Sequence, residues 1–568
     1  MSGPGDRASK PPIRLEPTPF PEAEGHGDSP TRVDVDCALL PGSWSSARTH
    51  TPHAREPGDL EGASPAVVAG RQLREGKPQS AAASLQKSDE AMVPGKPTKT
   101  RVTPVEPVEG KAEAEGKSTA RNASPTQGGK DAPTYLQWIG KRAKEKPEEQ
   151  FTNLLSHVKV PLLKEAFHRL RKDAAPGIDG VTWAEYADGL DDRLLDLQDR
   201  IHRGSYHPQP VRRVHIPKGD GRTRPLGIPS LEDKIVQQAV RMVLEPIYKA
   251  MFVGFSYGFR PGRSQHDALD ALAEAIARKV SWVLDADIRS FFDTIDHGWM
   301  QKFMEHRVGD SRMVRLVMKW VRAGVMEEGE LREVEEGTPQ GGIISPLLAN
   351  IYLHYALDLW ACQWRKRHAR GEVYVVRYAD DVVMSFQLEQ DAHAMRAALS
   401  ARLGEFGLEL HPDKTRVLRF GRYAREQAER HGEGKPATFD FLGFTHIVGT
   451  NQRGGFQLRR RTSRKKRRAK QAQLKEECRR RRHDPVPDQH KWLCSVLRGH
   501  YQYYGVPTNC RALASFHHAV SWAWHRWLQR RSQRAAWTLD KLRTFDARFP
   551  LPRPRIVHPW PTERFACR

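Results

Sequence analysis

The spacing of apolar residues predicts a region of mixed helices and strands that begins near Tyr135 and continues to about residue 449. Apolar residues recur at helical spacing in three early segments, at residues 162–170, 190–201 and 235–244. Period-two alternation predicts three strands, at residues 211–216, 224–228 and 282–288. Two β-branched runs, at residues 373–376 and 382–386, enclose a short polar turn and predict a β-hairpin. Strands that pair across intervening helices are typical of an α+β fold.

The pattern changes on both sides of this region. Residues 459–482 hold 14 basic and two acidic side chains, and helical periodicity then resumes from Trp492 to Tyr504 and from Phe516 to Leu528. Residues 1–133 are rich in Pro, Gly, Ser, Ala, Glu and Lys without sustained periodicity, which predicts disorder. The chain is therefore predicted to comprise a disordered tail (1–133), an α+β region (134–449), a basic segment (450–490) and a helical C-terminal region (491–568).

Composition indicates a basic protein whose partner is a polyanion. The 568 residues include 92 Lys and Arg against 69 Asp and Glu, a formal net charge of +23. The sequence contains neither the long apolar run of a membrane span nor a secretory signal. Its six cysteines are scattered without a C-x-x-C pair, which disfavours disulfides and thiolate metal sites. We therefore expect a cytoplasmic, nucleic-acid-binding protein rather than a secreted, membrane or zinc-finger protein.

Two groups of aspartates are the candidate catalytic residues. Asp380 and Asp381 are adjacent in the predicted hairpin turn, where their mutual repulsion is costly unless a cation neutralises them. In the upstream strand, Asp285 and Asp287 share one face by period two, opposite Leu284 and other apolar residues. Mg²⁺ prefers carboxylate oxygens and keeps positions open for phosphate and water. One strand aspartate and the hairpin pair could hold two ions about 4 Å apart, as in-line nucleotidyl transfer requires.

Several motifs in a fixed order make the sequence resemble group II intron-encoded reverse transcriptase/maturases. Motifs similar to those of reverse transcriptases in general are Asp287 with Phe292, residues 337–346 and residues 378–381. Motifs that resemble the intron-encoded branch lie at residues 215–218, 224–229, 256–264 and 441–444. Residues 176–180 and 497–501 are similar to that family's N-terminal extension and maturase region. The resemblance covers about residues 134–530.

The resemblance implies a right-hand polymerase with fingers and palm at residues 134–449, followed by an α-helical thumb/maturase domain. It implies an RNA-directed DNA polymerase that extends a DNA primer on an RNA template with dNTPs and two Mg²⁺ ions. It also implies binding of a group II intron RNA to promote splicing, and mobility of that intron into a DNA target. The short C-terminal tail lacks the paired cysteines of an appended endonuclease domain, so no second-strand nuclease is expected.

Individual roles also follow from the resemblance. The residues implied as metal ligands are Asp287, Asp380 and Asp381, with Asp285 as a spare carboxylate. Phe292 would be the steric gate that rejects a ribose 2′-hydroxyl, and Lys414 would protonate the leaving pyrophosphate. The residues implied to contact the triphosphate, the nucleotide and the template are Lys218, Arg222, Arg224, Gln340 and Gly341. Residues 442–444 would be the primer grip, although a simple buried turn accounts for them nearly as well.

The basic segment has two interpretations. A charge run is often a solvated face or a localisation tract. Its position between the α+β region and aromatic-rich helices favours an RNA groove, in which arginines pair with phosphates and exposed aromatics stack on unpaired bases. The residues predicted to bind RNA are Arg464, Lys465, Lys466, Arg467, Arg468, Arg498 and Tyr501.

Three alternative functions remain open from the sequence. The protein could be a domesticated or stand-alone reverse transcriptase that serves repair or defence. It could instead be a splicing-only, RNA-binding maturase. An RNA-dependent RNA polymerase would share the carboxylate pattern but would use rNTPs.

Overall fold

A computed structural model describes residues 134–217, 223–327, 330–332, 341–532 and 537–561. The predicted disordered tail at residues 1–133 lies outside this range, and so do Lys218, Arg222 and Gln340. The described chain mixes helices with three small β-sheets. None of its described helices is both long and apolar enough to cross a bilayer.

The first part of the described chain is helical and packs around one long helix. Its helices are α1 (Thr134–Glu145), α2 (Val160–Arg169), α3 (Trp183–Ala187), α4 (Leu190–Arg203) and α5 (Leu231–Met251), with a 3₁₀ turn at Leu154–His157. Both α1 and α2 pack on α5. Ile235, Ala239 and Val243 of α5 are fully buried, as helical spacing predicts for a helix in the centre of a core.

The first sheet combines two strands that precede α5 with two that lie farther along the chain. Its strands are β1 (Val211–Pro217), β2 (Thr223–Ile228), β4 (Val325–Glu327) and β5 (Glu330–Arg332), in the order β2-β1-β4-β5. The pairs β1–β2 and β4–β5 are antiparallel, whereas β1 and β4 are parallel. The strands predicted at residues 211–216 and 224–228 are confirmed.

The second sheet carries the predicted catalytic aspartates. Its strands are β3 (Trp282–Asp287), β6 (Val373–Tyr378), β7 (Asp381–Phe386) and β8 (Arg416–Arg419), all antiparallel, in the order β6-β7-β3-β8. The helices in this part of the chain are α6 (Gln265–Ala277), α7 (His297–Glu305), α8 (Ser311–Val321), α9 (Ser345–Leu353), α10 (Leu359–Arg367) and α11 (Glu389–Gly404). Of these, α6 and α11 pack on the sheet. A 3₁₀ turn at Phe291–Asp293 follows β3, and a π-helical turn at His354–Asp358 joins α9 to α10. The predicted hairpin is confirmed, with Ala379 and Asp380 as its two-residue loop.

The third sheet and the last helices complete the described chain. After α12 (Ala424–Arg430), the strands β9 (Thr438–Phe441), β10 (Phe444–Thr450) and β11 (Phe456–Thr462) form an antiparallel sheet in the order β11-β10-β9. The C-terminal helices are α13 (Arg464–Arg480), α14 (Val486–Tyr504), α15 (Cys510–Gln529) and α16 (Leu539–Arg548). Residue 449, the predicted boundary between the α+β region and the basic segment, lies inside β10. The hairpin of β10 and β11 spans this boundary.

Apolar burial explains why the second sheet is held firmly. On one face of β3, Leu284 and Ala286 join the large core that also contains α5, α7 and α9. On the opposite face, Val283 joins a smaller core with α6 and the third sheet. A separate core holds the C-terminal helices together through Leu493, Phe516 and other residues. Burying each such side chain contributes about 1.5–3 kcal/mol.

Candidate active site and nucleic-acid interface

The antiparallel register of β3 and β7 brings two of the predicted catalytic aspartates together. Asp287, the last residue of β3, lies directly opposite Asp381, the first residue of β7. Directly opposed residues of antiparallel strands project to the same face, with Cβ atoms about 4.5–5.5 Å apart. Asp380, in the hairpin loop, directly precedes Asp381, so the three aspartates predicted as metal ligands all lie at the same end of the sheet.

The face that carries these carboxylates changes from apolar to acidic along the strand. Val283 is fully buried beneath the smaller core, whereas Asp285 and Asp287 are half-buried. Asp285 lies opposite Val383 and 3.5 Å from Arg416 Nη2, one pleat below the Asp287–Asp381 pair. The sheet is therefore anchored at one end and presents carboxylates at the other, as its period-two pattern predicts.

The carboxylates at this end strongly influence one another. The Asp381 side chain reaches solvent, but the protein around it removes enough water that desolvation raises its pKa to about 7, with Asp380, Asp287 and Asp285 acting in the same direction. Desolvation also raises the pKa of Asp285 to about 6, against the opposing effect of Arg416. Two described cations, Lys414 and Arg416, lie beside these carboxylates.

Lys414 supplies one of those cations. The segment before β8 runs beside the end of β3, where His411 N donates to Asp287 O at 2.8 Å. Lys414 Nζ donates to Asp287 Oδ2 at 2.6 Å. The side chain predicted to act on pyrophosphate therefore lies at the carboxylate cluster, in contact with one of its members.

The donor set fits a hard divalent cation. Asp287, Asp380 and Asp381 offer carboxylate oxygens, the ligands that Mg²⁺ prefers, and their mutual repulsion is what a cation would relieve. Within the described ranges, no three carboxylate, imidazole or thiol groups already converge closely enough to form a metal site. The described partner of Asp287 Oδ2 is Lys414, at 2.6 Å.

Arg377 supports the hairpin loop from below, a role that sequence reasoning missed. Its side chain is fully buried and forms a paired salt bridge with Asp358, at 2.7 and 2.6 Å. The same guanidinium donates to Ala379 O in the loop at 2.9 Å and to Asn350 Oδ1 at 3.0 Å. It also donates to Ser256 Oγ at 2.8 Å. Asn350 and Asp358 lie on one continuous helical stretch and Ser256 lies far from both in the chain, so this cluster ties the hairpin loop to α9, the π-helical turn and the segment before α6.

The loop itself has a strained backbone that this support stabilises. Ala379 has a φ of 57°, a value that costs a residue with a side chain roughly 1 kcal/mol or more. The segment around Gly258 runs beside the edge strand, where Tyr257 N donates to Arg377 O at 2.8 Å. A Cβ at position 258 would collide with Ala379 N, so only glycine fits there. The sequence signals for this support were the arginine before the hairpin loop and the motif at residues 256–264. Neither shows that the two segments are in contact.

The remaining nucleotide-site predictions differ in how far the structure describes them. Phe292 is half-buried, with its ring edge-on to Phe291 at 5.3 Å. Gly341 is exposed and has a φ of 122°, and its backbone approaches Gly227 O too closely for a larger residue. Arg224 lies in β2 opposite Ile216, although its side chain is outside the described atoms. The primer grip was predicted at residues 442–444, where the Tyr503 hydroxyl donates to Leu442 O at 2.8 Å.

Most residues predicted to bind RNA lie on an exposed basic surface. Helix α13 buries Leu474 and Cys478 against the C-terminal core. The exposed residues among those predicted to bind RNA are Arg464, Lys465, Lys466 and Arg468 on α13 and Arg498 on α14. Arg467 is half-buried.

The prediction for Tyr501 is wrong. Its side chain is only 1% exposed because it continues the apolar stripe of Leu493 and Leu497 on α14. Its hydroxyl donates to Pro552 O at 3.1 Å. A ring buried in this core cannot stack on an RNA base.

Comparisons with known proteins point to one protein family. Residues 216–446 match the family described as reverse transcriptase (RNA-dependent DNA polymerase). The chain is 37% identical to Protein YkfC of Escherichia coli over 278 residues, which are 43% of this chain and 72% of that protein. It is 37% identical to the group II intron-encoded protein LtrA of Lactococcus lactis over 238 residues, 41% of this chain and 39% of LtrA. It is 29% identical to the retron Mx162 reverse transcriptase of Myxococcus xanthus over 283 residues, 46% of this chain and 56% of that protein.

Proposed function

This chain belongs to the reverse transcriptase family, with group II intron-encoded proteins among its relatives, and from that premise we propose that it copies an intron RNA into DNA and binds the same RNA as a maturase. The observation that carries the catalytic part is the pairing of Asp287 with Asp381 across adjacent strands, beside Asp380. Its substrates would be dNTPs and an RNA template with a DNA primer.

We propose a right-hand arrangement of the domains. The second sheet, which presents the carboxylates, would be the palm. The helices around α5 together with the first sheet would be the fingers. The four C-terminal helices would form the thumb/maturase domain. The separate apolar core of these last helices supports treating them as a unit.

Asp287, Asp380 and Asp381 would hold two Mg²⁺ ions. When bound, the metal pair supplies activation of the primer 3′-hydroxyl and neutralises charge on the leaving group. The chain's own residues would do the rest of the chemistry. The 3′-oxygen bonds to the α-phosphorus as the bond to the bridging oxygen breaks, and Lys414, already at the cluster, would donate a proton to the departing pyrophosphate.

Other side chains would select the nucleotide. Phe292 follows β3 by five residues and would occupy the space of a ribose 2′-hydroxyl, which favours dNTPs. Lys218, Arg222 and Arg224 would contact the triphosphate, while Gln340 and Gly341 would border the nucleotide and template. Gly341 is exposed and its backbone lies close to β2, which supports a position beside the nucleotide and template.

The exposed basic residues of α13 and Arg498 would bind phosphates of the intron RNA. Counterions are released when phosphates are neutralised, so we expect RNA affinity to fall steeply as salt rises. An affinity that is flat between low and moderate salt would contradict this assignment. The charge of α13 supports the proposal, since only Glu476 and Glu477 oppose its basic residues.

Primer extension on an RNA template tests the catalytic proposal. The reaction is run with dNTPs or rNTPs, and with Mg²⁺ or a chelator. We expect dNTP incorporation that requires the metal, and a loss of at least about a hundredfold in Asp287→Asn and Asp381→Asn. Asp285→Asn is the matched control, because it removes a carboxylate from the same face of the same strand and should keep most of the activity. Efficient rNTP incorporation by the wild type would favour an RNA polymerase instead.

A splicing assay tests the maturase proposal separately. The intron RNA that contains this reading frame is incubated with wild-type protein or with Asp381→Asn. We expect both proteins to promote splicing, because RNA binding would depend on the basic surface and not on the carboxylates. Equal loss of splicing and DNA synthesis in a folded Asp381→Asn protein would contradict two separable functions.

A further inference from the structure

The last described segment of the chain forms an ordered strap along α14. This C-terminal strap, residues 550–561, begins where Pro550 O lies 2.9 Å from His490 Nε2 and Pro552 O accepts from Tyr501. Farther on, Val557 N and His558 N both donate to Gly505 O, at 2.8 and 2.9 Å. The strap is therefore fixed to the helix at both ends of its path.

The far end of the strap also contacts the α6 helix. The His558 ring stacks on His266 of α6 with centroids 3.6 Å apart. His558 Nε2 lies 2.7 Å from Gln502 O. These contacts set the position of the next aromatic residue, Trp560, which is 37% exposed.

Trp560 and the tip of the β10–β11 hairpin together line an open cavity of about 530 Å³. Arg453, Arg459, Asn451 and Gln457 are among the hairpin residues that line it, and none of its described lining residues is acidic. Arg459 is held in place by a 2.7 Å hydrogen bond from Nη2 to Thr450 O. The site therefore combines a fixed aromatic ring, two guanidinium groups and side-chain amides.

We propose that this cavity binds one unpaired nucleotide of the RNA, with its base stacked on Trp560 and its phosphate paired with Arg453 and Arg459. The inference rests on the proposed RNA-binding function and adds a specific site to it. Its volume lies within the range of about 300–1,000 Å³ that is typical of small-ligand sites. An aromatic plane beside arginines is how proteins bind single-stranded nucleic acid without reading its sequence.

The position of the cavity supports RNA as the ligand. The cavity lies at the tip of the β10–β11 hairpin, and the other end of β11 leads through Ser463 into the exposed basic surface of α13. A strand whose unpaired nucleotide occupies the cavity could continue along this surface with its phosphates near Arg464 and Arg468. An acidic peptide would also satisfy the arginines, but it would gain less from the exposed indole ring and the amides.

Binding of two RNAs of equal length, one single-stranded and one fully paired, tests the inference. We expect Trp560→Ala to weaken binding of the single-stranded RNA about fivefold or more and to leave binding of the duplex unchanged. Trp560→Phe should restore most of the loss because it keeps a ring for stacking. Tyr423→Ala is the matched control, since Tyr423 is a similarly exposed aromatic, 48%, away from the cavity. Arg453→Gln should reduce the salt dependence of single-strand binding by about one phosphate contact.

Several other results would contradict the inference or the RNA-binding function on which it rests. The inference is overturned if Trp560→Ala binds single-stranded RNA as the wild type does, weakens both RNAs equally, or is not rescued by Trp560→Phe. An equal loss in Tyr423→Ala also overturns it, because the effect would then not be specific to the cavity. Failure of the wild type to bind either RNA would instead contradict the proposed RNA-binding function.

Discussion

The buried cluster around Arg377 allows a test of whether it only stabilises the fold or also positions the catalytic loop. Arg377→Met alone leaves Asp358 as a fully buried, unpaired carboxylate, and breaking such a pair costs about 3–5 kcal/mol. The double variant Arg377→Met/Asp358→Leu removes both charges. Replacing a buried ion pair with apolar residues is often close to neutral for stability, so we expect the double variant to have a higher Tm than either single variant.

The double variant still lacks the donor to Ala379 O. That 2.9 Å bond from a charged group holds the loop whose Ala379 has a φ of 57°. Hydrogen bonds to charged groups contribute about 1.5–3 kcal/mol, so a loop that loses this one should reach its catalytic geometry about tenfold less often or worse. We therefore expect kcat for nucleotide incorporation to fall about tenfold or more, with little change in KM for dNTP or in RNA affinity.

The assay is single-nucleotide incorporation at saturating primer and template, at a temperature well below the Tm of each variant. Thermal unfolding is measured on the same samples. Arg377→Lys serves as a control, because lysine keeps the positive charge but cannot form all the hydrogen bonds of the guanidinium group. A folded double variant with wild-type kcat would refute a positioning role. Activities that simply follow Tm across the variants would show that Arg377 acts only on stability.

Three further predictions follow from the site. Phe292→Ala should raise incorporation of rNTPs relative to dNTPs, measured as the ratio of kcat/KM values, and unchanged sugar selectivity would remove Phe292 from the gate. Lys414→Met should lower kcat about a hundredfold, as expected for the loss of a proton donor, whereas an unchanged kcat would contradict that role. Metal binding requires ionised Asp381, whose pKa is raised to about 7 without metal, so Mg²⁺ affinity should rise between about pH 6 and pH 8 with release of a proton. Calorimetry in buffers of different ionisation enthalpy measures this proton release, and Asp381→Asn should abolish the release. A Mg²⁺ affinity that does not change with pH would contradict the prediction.

Local pattern in the sequence was enough to predict the elements that carry the site. Period-two alternation placed Asp285 and Asp287 on one face of β3, and the two β-branched runs predicted the hairpin that presents Asp380 and Asp381. These features depend on residues close together in the chain, because side-chain direction in a strand follows from its pleat. The same reasoning predicted the α5 core helix from its apolar spacing, and the motifs identified the reverse transcriptase family.

Only the tertiary structure decided which distant residues meet. The register that sets Asp287 against Asp381, and the approach of Lys414 to Asp287, arise because β3 lies between β7 and β8, a result of packing many segments at once. Helical spacing alone did not show that the C-terminal core encloses the Tyr501 ring. From the sequence alone, an arginine in a strand is expected to lie at the surface. Only the tertiary structure shows that Asp358 and its neighbours surround Arg377. A periodic pattern specifies the face of an element, whereas the partner of a buried charge depends on contacts between segments far apart in the chain.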